Sequence, residues 1–265
     1  MIAQKIERLR RATWTWRQPL TRMPTCVDAP ISDLFVWRSS QEWNTFFELI
    51  DIPSLFEDGR STGQVTLVFF DGSGNCIQEQ KLNLQANCRQ TLDISAIVGR
   101  GHGESGTFAV FHSTTPSVVT KLGSFLAERG YISYRYRDAP LRAYVHGNLD
   151  AISLGADGEL RLLGGSSFLR REYSLQHELQ PGVVYELGMV NPTSTSQRCI
   201  CRLISVHSGK TLHVQTVNLP PGGIQLVPVQ ADKSEPVRLV IQSHLVMARP
   251  LVFRIQNLKL DVFHG

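Results

Sequence analysis

Val65-Thr66-Leu67-Val68-Phe69-Phe70 runs directly into Asp71-Gly72-Ser73-Gly74-Asn75. The first stretch is apolar and β-branched, which suits a pleated surface, and the second supplies the glycines of a tight turn, so together they read as one arm of a β-hairpin. A second stretch of the same kind lies further along, where Cys199-Ile200-Cys201-Arg202-Leu203-Ile204 leads into His207-Ser208-Gly209-Lys210. Working outward from these two strands, the order of motifs repeats. Phe47-Glu48-Leu49 precedes the first and Tyr185-Glu186-Leu187 the second, at an offset of 138. Lys81-Leu82-Asn83-Leu84 and Thr216-Val217-Asn218-Leu219 follow at an offset of 135, each leading into a short strand, Gln90-Thr91-Leu92-Asp93-Ile94 or Ile224-Gln225-Leu226-Val227-Pro228. Phe108-Ala109-Val110-Phe111 then answers Leu239-Val240-Ile241-Gln242, Tyr134-Arg135 answers Phe253-Arg254, and Val145-His146-Gly147 answers Phe263-His264-Gly265. The falling offset places the extra residues of the first copy around 118–128.

Short alternating strands separated by turns are the pattern of antiparallel β-sandwiches, and a duplicated unit fixes the fold of both copies. The sequence therefore predicts an all-β chain of two tandem antiparallel β-sandwich domains from an internal duplication, preceded by a short N-terminal amphipathic helix. The expected domain limits are 34–148 and 183–265, with 1–33 as helix and Pro-containing linker and 149–182 as a connecting hairpin around Ala156-Asp157-Gly158-Glu159.

The second copy carries Val190-Asn191-Pro192, then Asn218-Leu219-Pro220-Pro221-Gly222-Gly223, then Val237-Arg238-Leu239-Val240-Ile241-Gln242-Ser243. This order resembles the bacterial immunoglobulin-like sandwiches of the adhesion-module and sensory-rhodopsin-transducer type. The first copy has Asp51-Ile52-Pro53 and Gln85-Ala86-Asn87 at the corresponding places, so the resemblance covers only the second half. It implies a non-enzymatic binding or assembly role and transfers no site residue.

With 265 residues, 42% of them apolar and 19% charged, the chain can bury a sizeable core, which excludes a disordered protein. Residues 1–22 carry a net charge of +5 against +4 for the whole, so 23–265 sum to −1 and the high pI is no nucleic-acid signature of the body. In that N-terminal stretch Ile2, Ile6, Leu9, Thr13 and Trp16 recur at helical spacing among arginines, giving a basic amphipathic helix. All four tryptophans (Trp14, Trp16, Trp37, Trp43) fall within the first 43 residues. Arg8, Arg11, Trp14 and Trp16 are accordingly expected to form an N-terminal partner or oligomer interface, with membrane-surface docking as the minor alternative. Five scattered cysteines do not make a disulfide framework, and the opening residues lack the apolar core of a secretory signal, so a reducing, cytoplasmic location is expected.

The chemical motifs are sparse. Gly101-His102-Gly103-Glu104-Ser105-Gly106 matches a dinucleotide-binding loop literally, yet it leads into a strand where the pyrophosphate would need a helix N-terminus. His112 and His146, with His244 and His264 as their counterparts, lie near strand ends, but no HxH or HExxH element accompanies them, and neither metal nor cofactor is expected. Cys199 and Cys201 share one strand face, as small buried side chains do.

The most unusual segment is 131–148, which holds four of the six tyrosines. Tyrosine rings cover sugar faces or partner side chains at little entropic cost, and arginine grips carboxylates. In a strand Tyr134 and Tyr136 point one way and Arg135 and Arg137 the other, so one face is aromatic and the other cationic. Tyr131, Tyr134, Arg135, Tyr136, Arg137, Arg142, Tyr144, His146 and Asn148 are therefore the candidate contact residues, for a protein partner, self-association or an acidic glycan; the competing reading is structural, with the tyrosine rings packed in a sandwich and their hydroxyls at the rim. The alternative is a carbohydrate-active enzyme using carboxylates of the 138–172 region, namely Asp138, Asp150 and Glu172.

Overall fold

The computed structural model describes residues 29–51, 63–85, 88–113, 127–128, 130–147, 150–230, 235–246 and 249–265. The N-terminal helix, with Arg8, Arg11, Trp14 and Trp16, lies outside these residues, as does Asn148.

In chain order the strands of the first half are β1 (Ile31–Ser32), β2 (Phe35–Arg38), β3 (Trp43–Ile50), β4 (Gln64–Asp71), β5 (Cys76–Asn83), β6 (Arg89–Asp93), β7 (Ser105–His112), β8 (Ala127–Glu128), β9 (Tyr131–Tyr136) and β10 (Ala143–His146). One short helix, α1 (Ile94–Val98), follows β6 and is capped by Asp93, whose side chain accepts from the Ala96 N–H. The chain continues through β11 (Ile152–Leu154), β12 (Leu160–Leu162), β13 (Ser166–Ser174), β14 (Val184–Val190), β15 (Gln197–Ser205), β16 (Thr211–Leu219), β17 (Ile224–Gln230), β18 (Val237–Leu245), β19 (Leu251–Gln256) and β20 (Lys259–His264).

These strands form five four-stranded sheets, in the orders β12-β11-β1-β8, β2-β7-β4-β5, β10-β9-β3-β6, β13-β18-β15-β16 and β17-β14-β19-β20. The all-β class holds, but the arrangement is a five-bladed β-propeller of small sheets and not two tandem immunoglobulin-like sandwiches. Every pairing is antiparallel except that of β1 with β8. Two features defeat the sandwich expectation. The fifth sheet is built on strands of two or three residues, too short to register as alternating runs. In addition, the largest apolar cluster is shared by both halves: Phe35, Trp43, Phe47 and Tyr134 belong to it together with Ile224, Leu251, Phe253 and Val262.

The repeated motif order does appear in the pairing. β3 lies between β9 and β6 as β14 lies between β19 and β17, and β4 lies between β7 and β5 as β15 lies between β18 and β16. The two glycine-rich motifs meet in space. Gly74 has φ +84° in the β4–β5 turn, and a Cβ there would run into the Pro221 carbonyl, so only glycine lets the turn approach so closely. Alongside it the Ile224 N–H donates to Gly72 O at 3.0 Å, and Thr107 Oγ1 donates to Gly222 O at 3.1 Å.

An ion pair between a buried arginine and a partly exposed glutamate completes the contact between the halves. Arg38 Nη1 stands 2.6 Å from Glu186 Oε2, and its guanidinium lies 3.5 Å from the Trp43 ring centre and 4.9 Å from that of Phe253. Burial lowers the Arg38 pKa, an effect opposed by Glu186. Among the described residues no helix is long and apolar enough to cross a membrane.

Candidate binding face

Side chains alternate across a strand and cross-strand partners share a face, so the register of the β10-β9-β3-β6 sheet assigns each residue to a side. Phe47, Leu49, Ile132, Tyr134 and Val145 point inward and are buried. On the outer side one row joins Thr91, Glu48, Tyr131 and His146, the next joins Asp93, Phe46, Ser133 and Tyr144, and Asn44 pairs with Arg135.

The structure thus divides the predicted contact residues. Tyr131 and Tyr144 stand on the outer face at 58% and 51% exposure. Tyr134 is fully buried, with its hydroxyl donating to Val36 O at 2.8 Å, and burial pushes its pKa far up. Tyr136 is also buried, 4.8 Å from Trp43 between ring centres. Both are core residues and offer nothing to a partner, because β9 turns its Ile132-Tyr134-Tyr136 alternation inward. Arg137 has φ +52° in the turn after β9, where Glu42 holds it at 2.5 Å. Arg135 and Arg142 remain on the outer face, their guanidinium carbons 5.5 and 3.8 Å from the Phe46 ring centre. His146 sits on the rim, 5.2 Å from His264 between ring centres, and its carbonyl accepts from His264 Nε2 at 2.7 Å.

Glu48 is the residue that sequence reasoning missed. It is a lone carboxylate in the apolar run Phe46-Phe47-Glu48-Leu49-Ile50, which is the signal that could have found it. Nearly buried, it accepts from Thr91 Oγ1 at 2.9 Å, and Arg89 and Arg142 flank it at 3.4 and 3.8 Å. Next to it opens a cavity of about 580 Å³ lined by Glu48, Arg89, Glu128, Tyr131 and Tyr144 among others. Glu128, on the cavity wall, is itself buried and lies 2.7 Å from His112 Nε2.

The histidines do not pair as the repeat suggested. His112 is buried against Glu128, His244 is exposed and lies 3.1 Å from Ser167 O, and His146 meets His264 from the other half. Among the described residues no three histidine, cysteine, aspartate or glutamate side chains gather as a metal would need. Cys199 and Cys201 are buried in the second apolar cluster, where burial pushes the Cys201 thiol up to about 12. Asp138 lies in the turn after β9, whereas Glu172 on β13 takes Arg202 and Gln242 on a different sheet, so those two carboxylates serve separate surfaces. The loop 100–104 leads into β7, a strand, and presents no helix N-terminus to a phosphate. No protein-family model matches the chain, and no curated protein matches it significantly.

Proposed function

We propose that this chain is a non-catalytic binding or assembly protein that takes its partner on the outer face of the β10-β9-β3-β6 sheet. One comparison within the molecule carries the reading. In the corresponding sheet of the second half, β17-β14-β19-β20, Tyr185, Leu187 and Val252 point into that half's own cluster. The opposite face, with Glu186, Leu251 and Phe253, is covered by Arg38, Trp43 and Tyr134 of the first half. Among the described residues the equivalent face in the first half is exposed at Tyr131 and Tyr144, and it carries these tyrosines and arginines where the second half carries aliphatic residues and Phe253. A covered face needs apolar complementarity, whereas an open one that binds needs rigid aromatic planes and directional polar groups.

Free cysteines among the described residues (Cys76, Cys88, Cys199, Cys201) support placing this activity in a reducing compartment such as the cytoplasm. The test uses Tyr131→Ala/Tyr144→Ala, a change at two exposed positions. Wild type and variant are screened by thermal shift against sugars, acidic glycans, nucleotides and divalent metals, and by light scattering across protein concentration. A ligand at about 100 times its Kd adds roughly 2.7 kcal/mol. The reading expects one class, or self-association, to act on wild type and to be lost in the variant; full retention in the variant refutes it.

A further inference from the structure

We infer that the ligand of this face is a carboxylated saccharide whose carboxylate is gripped by Arg135 and Arg142 above Phe46. The inference rests on the binding reading just given and adds the chemistry of the ligand. Arg142 and Arg135 both lie over the Phe46 ring, at 3.8 and 5.5 Å. A guanidinium held against an aromatic ring keeps N–H groups at its edge for a carboxylate, which it can bind through two parallel hydrogen bonds.

Among the described residues neither arginine is held by a carboxylate closer than 3.8 Å. Arg135 forms no ion pair among the described residues, and the one carboxylate near Arg142 is Glu48 at 3.8 Å, already bonded to Thr91 and flanked by Arg89. Arg137 differs, since Glu42 takes it at 2.5 Å. Three arginines, Arg89, Arg135 and Arg142, stand here with three carboxylates, Glu48, Asp93 and Glu128, so the place for an anion is set locally by Arg135 and Arg142 over Phe46 and not by the charge of the whole face. Beneath them Ser133, between Phe46 and Tyr144 in the register, has a buried hydroxyl with no hydrogen-bond partner among the described residues.

The neighbouring groups select a sugar. Tyr144 is half exposed beside Ser133, and Tyr131 is half exposed one row away, so two rings flank the open cavity of about 580 Å³. Flat aromatic walls cover the apolar faces of pyranose rings, whereas an acidic peptide would depend on the arginines alone.

Calorimetric titration with trigalacturonate, a hyaluronan hexasaccharide and sialyllactose tests the inference. Each is set beside its methyl ester as the neutral counterpart. At least one acid is expected to bind tenfold or more tighter than its neutral form. Arg135→Gln and Arg142→Gln should each weaken that acid by roughly 10- to 100-fold, the cost of a hydrogen bond to a charged group, at an unchanged melting temperature. Tyr144→Ala should weaken acid and neutral forms alike. Equal affinity for acid and neutral forms overturns the carboxylate assignment while leaving the binding face standing. So does a polyglutamate peptide that binds tighter than every saccharide, or a thermal-shift ligand of another class that Tyr131→Ala/Tyr144→Ala loses while no saccharide binds. Any ligand retained in full by that double variant overturns both readings.

Discussion

Phe253→Ala tests whether the two halves share one cooperative core. The side chain is fully buried, its ring centre lies 5.0 Å from Tyr134 and 5.5 Å from Trp43, and the Arg38 guanidinium sits 4.9 Å away. Truncating a buried phenylalanine costs about 3–5 kcal/mol in lost transfer free energy and residual cavity. The two edge-on aromatic contacts push the value toward the upper end, since each adds roughly 0.5–1.5 kcal/mol beyond area burial. For a chain of this size 1 kcal/mol moves Tm by about 2–4 °C, so a cost near 4 kcal/mol predicts a fall of roughly 8–16 °C. Calorimetry should show one transition in wild type and variant, with tryptophan fluorescence, dominated in the core by Trp37 and Trp43, moving with it. Phe253→Leu, which conserves most of the volume, should recover most of the loss. Two separate transitions, with the tryptophan signal unmoved and only the other lowered, would refute the shared core.

Arg38→Met should destabilise by about 2–4 kcal/mol because it strips Glu186 of its partner, while Arg38→Met/Glu186→Leu should recover much of that in urea titration, such a pair being replaceable by apolar packing. Burial lowers the His264 pKa from its ordinary 6.5, so the unfolded chain binds the extra proton first as pH falls; stability is full above 6.5 and declines below it, and His264→Gln should flatten that part of a Tm-against-pH curve. A thiol reagent should modify exposed Cys76 and Cys88 quickly in the native protein, but Cys199 and Cys201 only at the rate of unfolding; fast native labelling of Cys201 would contradict a buried thiol with a pKa near 12.

The candidate site was half legible in the sequence. The density of tyrosine and arginine in 131–148 marked the strand pair on which the proposed face is built, and Tyr131, Arg135, Arg142 and Tyr144 do reach its outer side. Alternation also separated Tyr134 and Tyr136 from Arg135, but it could not say which side faced water. The core claimed both tyrosines, because Phe253 and Trp43 arrive from elsewhere in the chain to pack on them. Glu48, Thr91, Arg89 and Ser133 join the site through the pairing of β3 with β6 and β9, contacts between residues 39 or more apart that no local pattern reports.

By itself the sequence determined that this chain is all-β, where its hairpins turn and that its motif order occurs twice, because strand periodicity and glycine turns are local properties of backbone and side chain. Only the tertiary structure decided how those strands divide among five sheets and which faces meet. The reason is physical: alternation states that one side of a strand must be buried, but the surface that buries it is chosen by long-range complementarity. For the second half that surface was Arg38, Trp43 and Tyr134 of the first, and the same choice left the Tyr131 and Tyr144 face open.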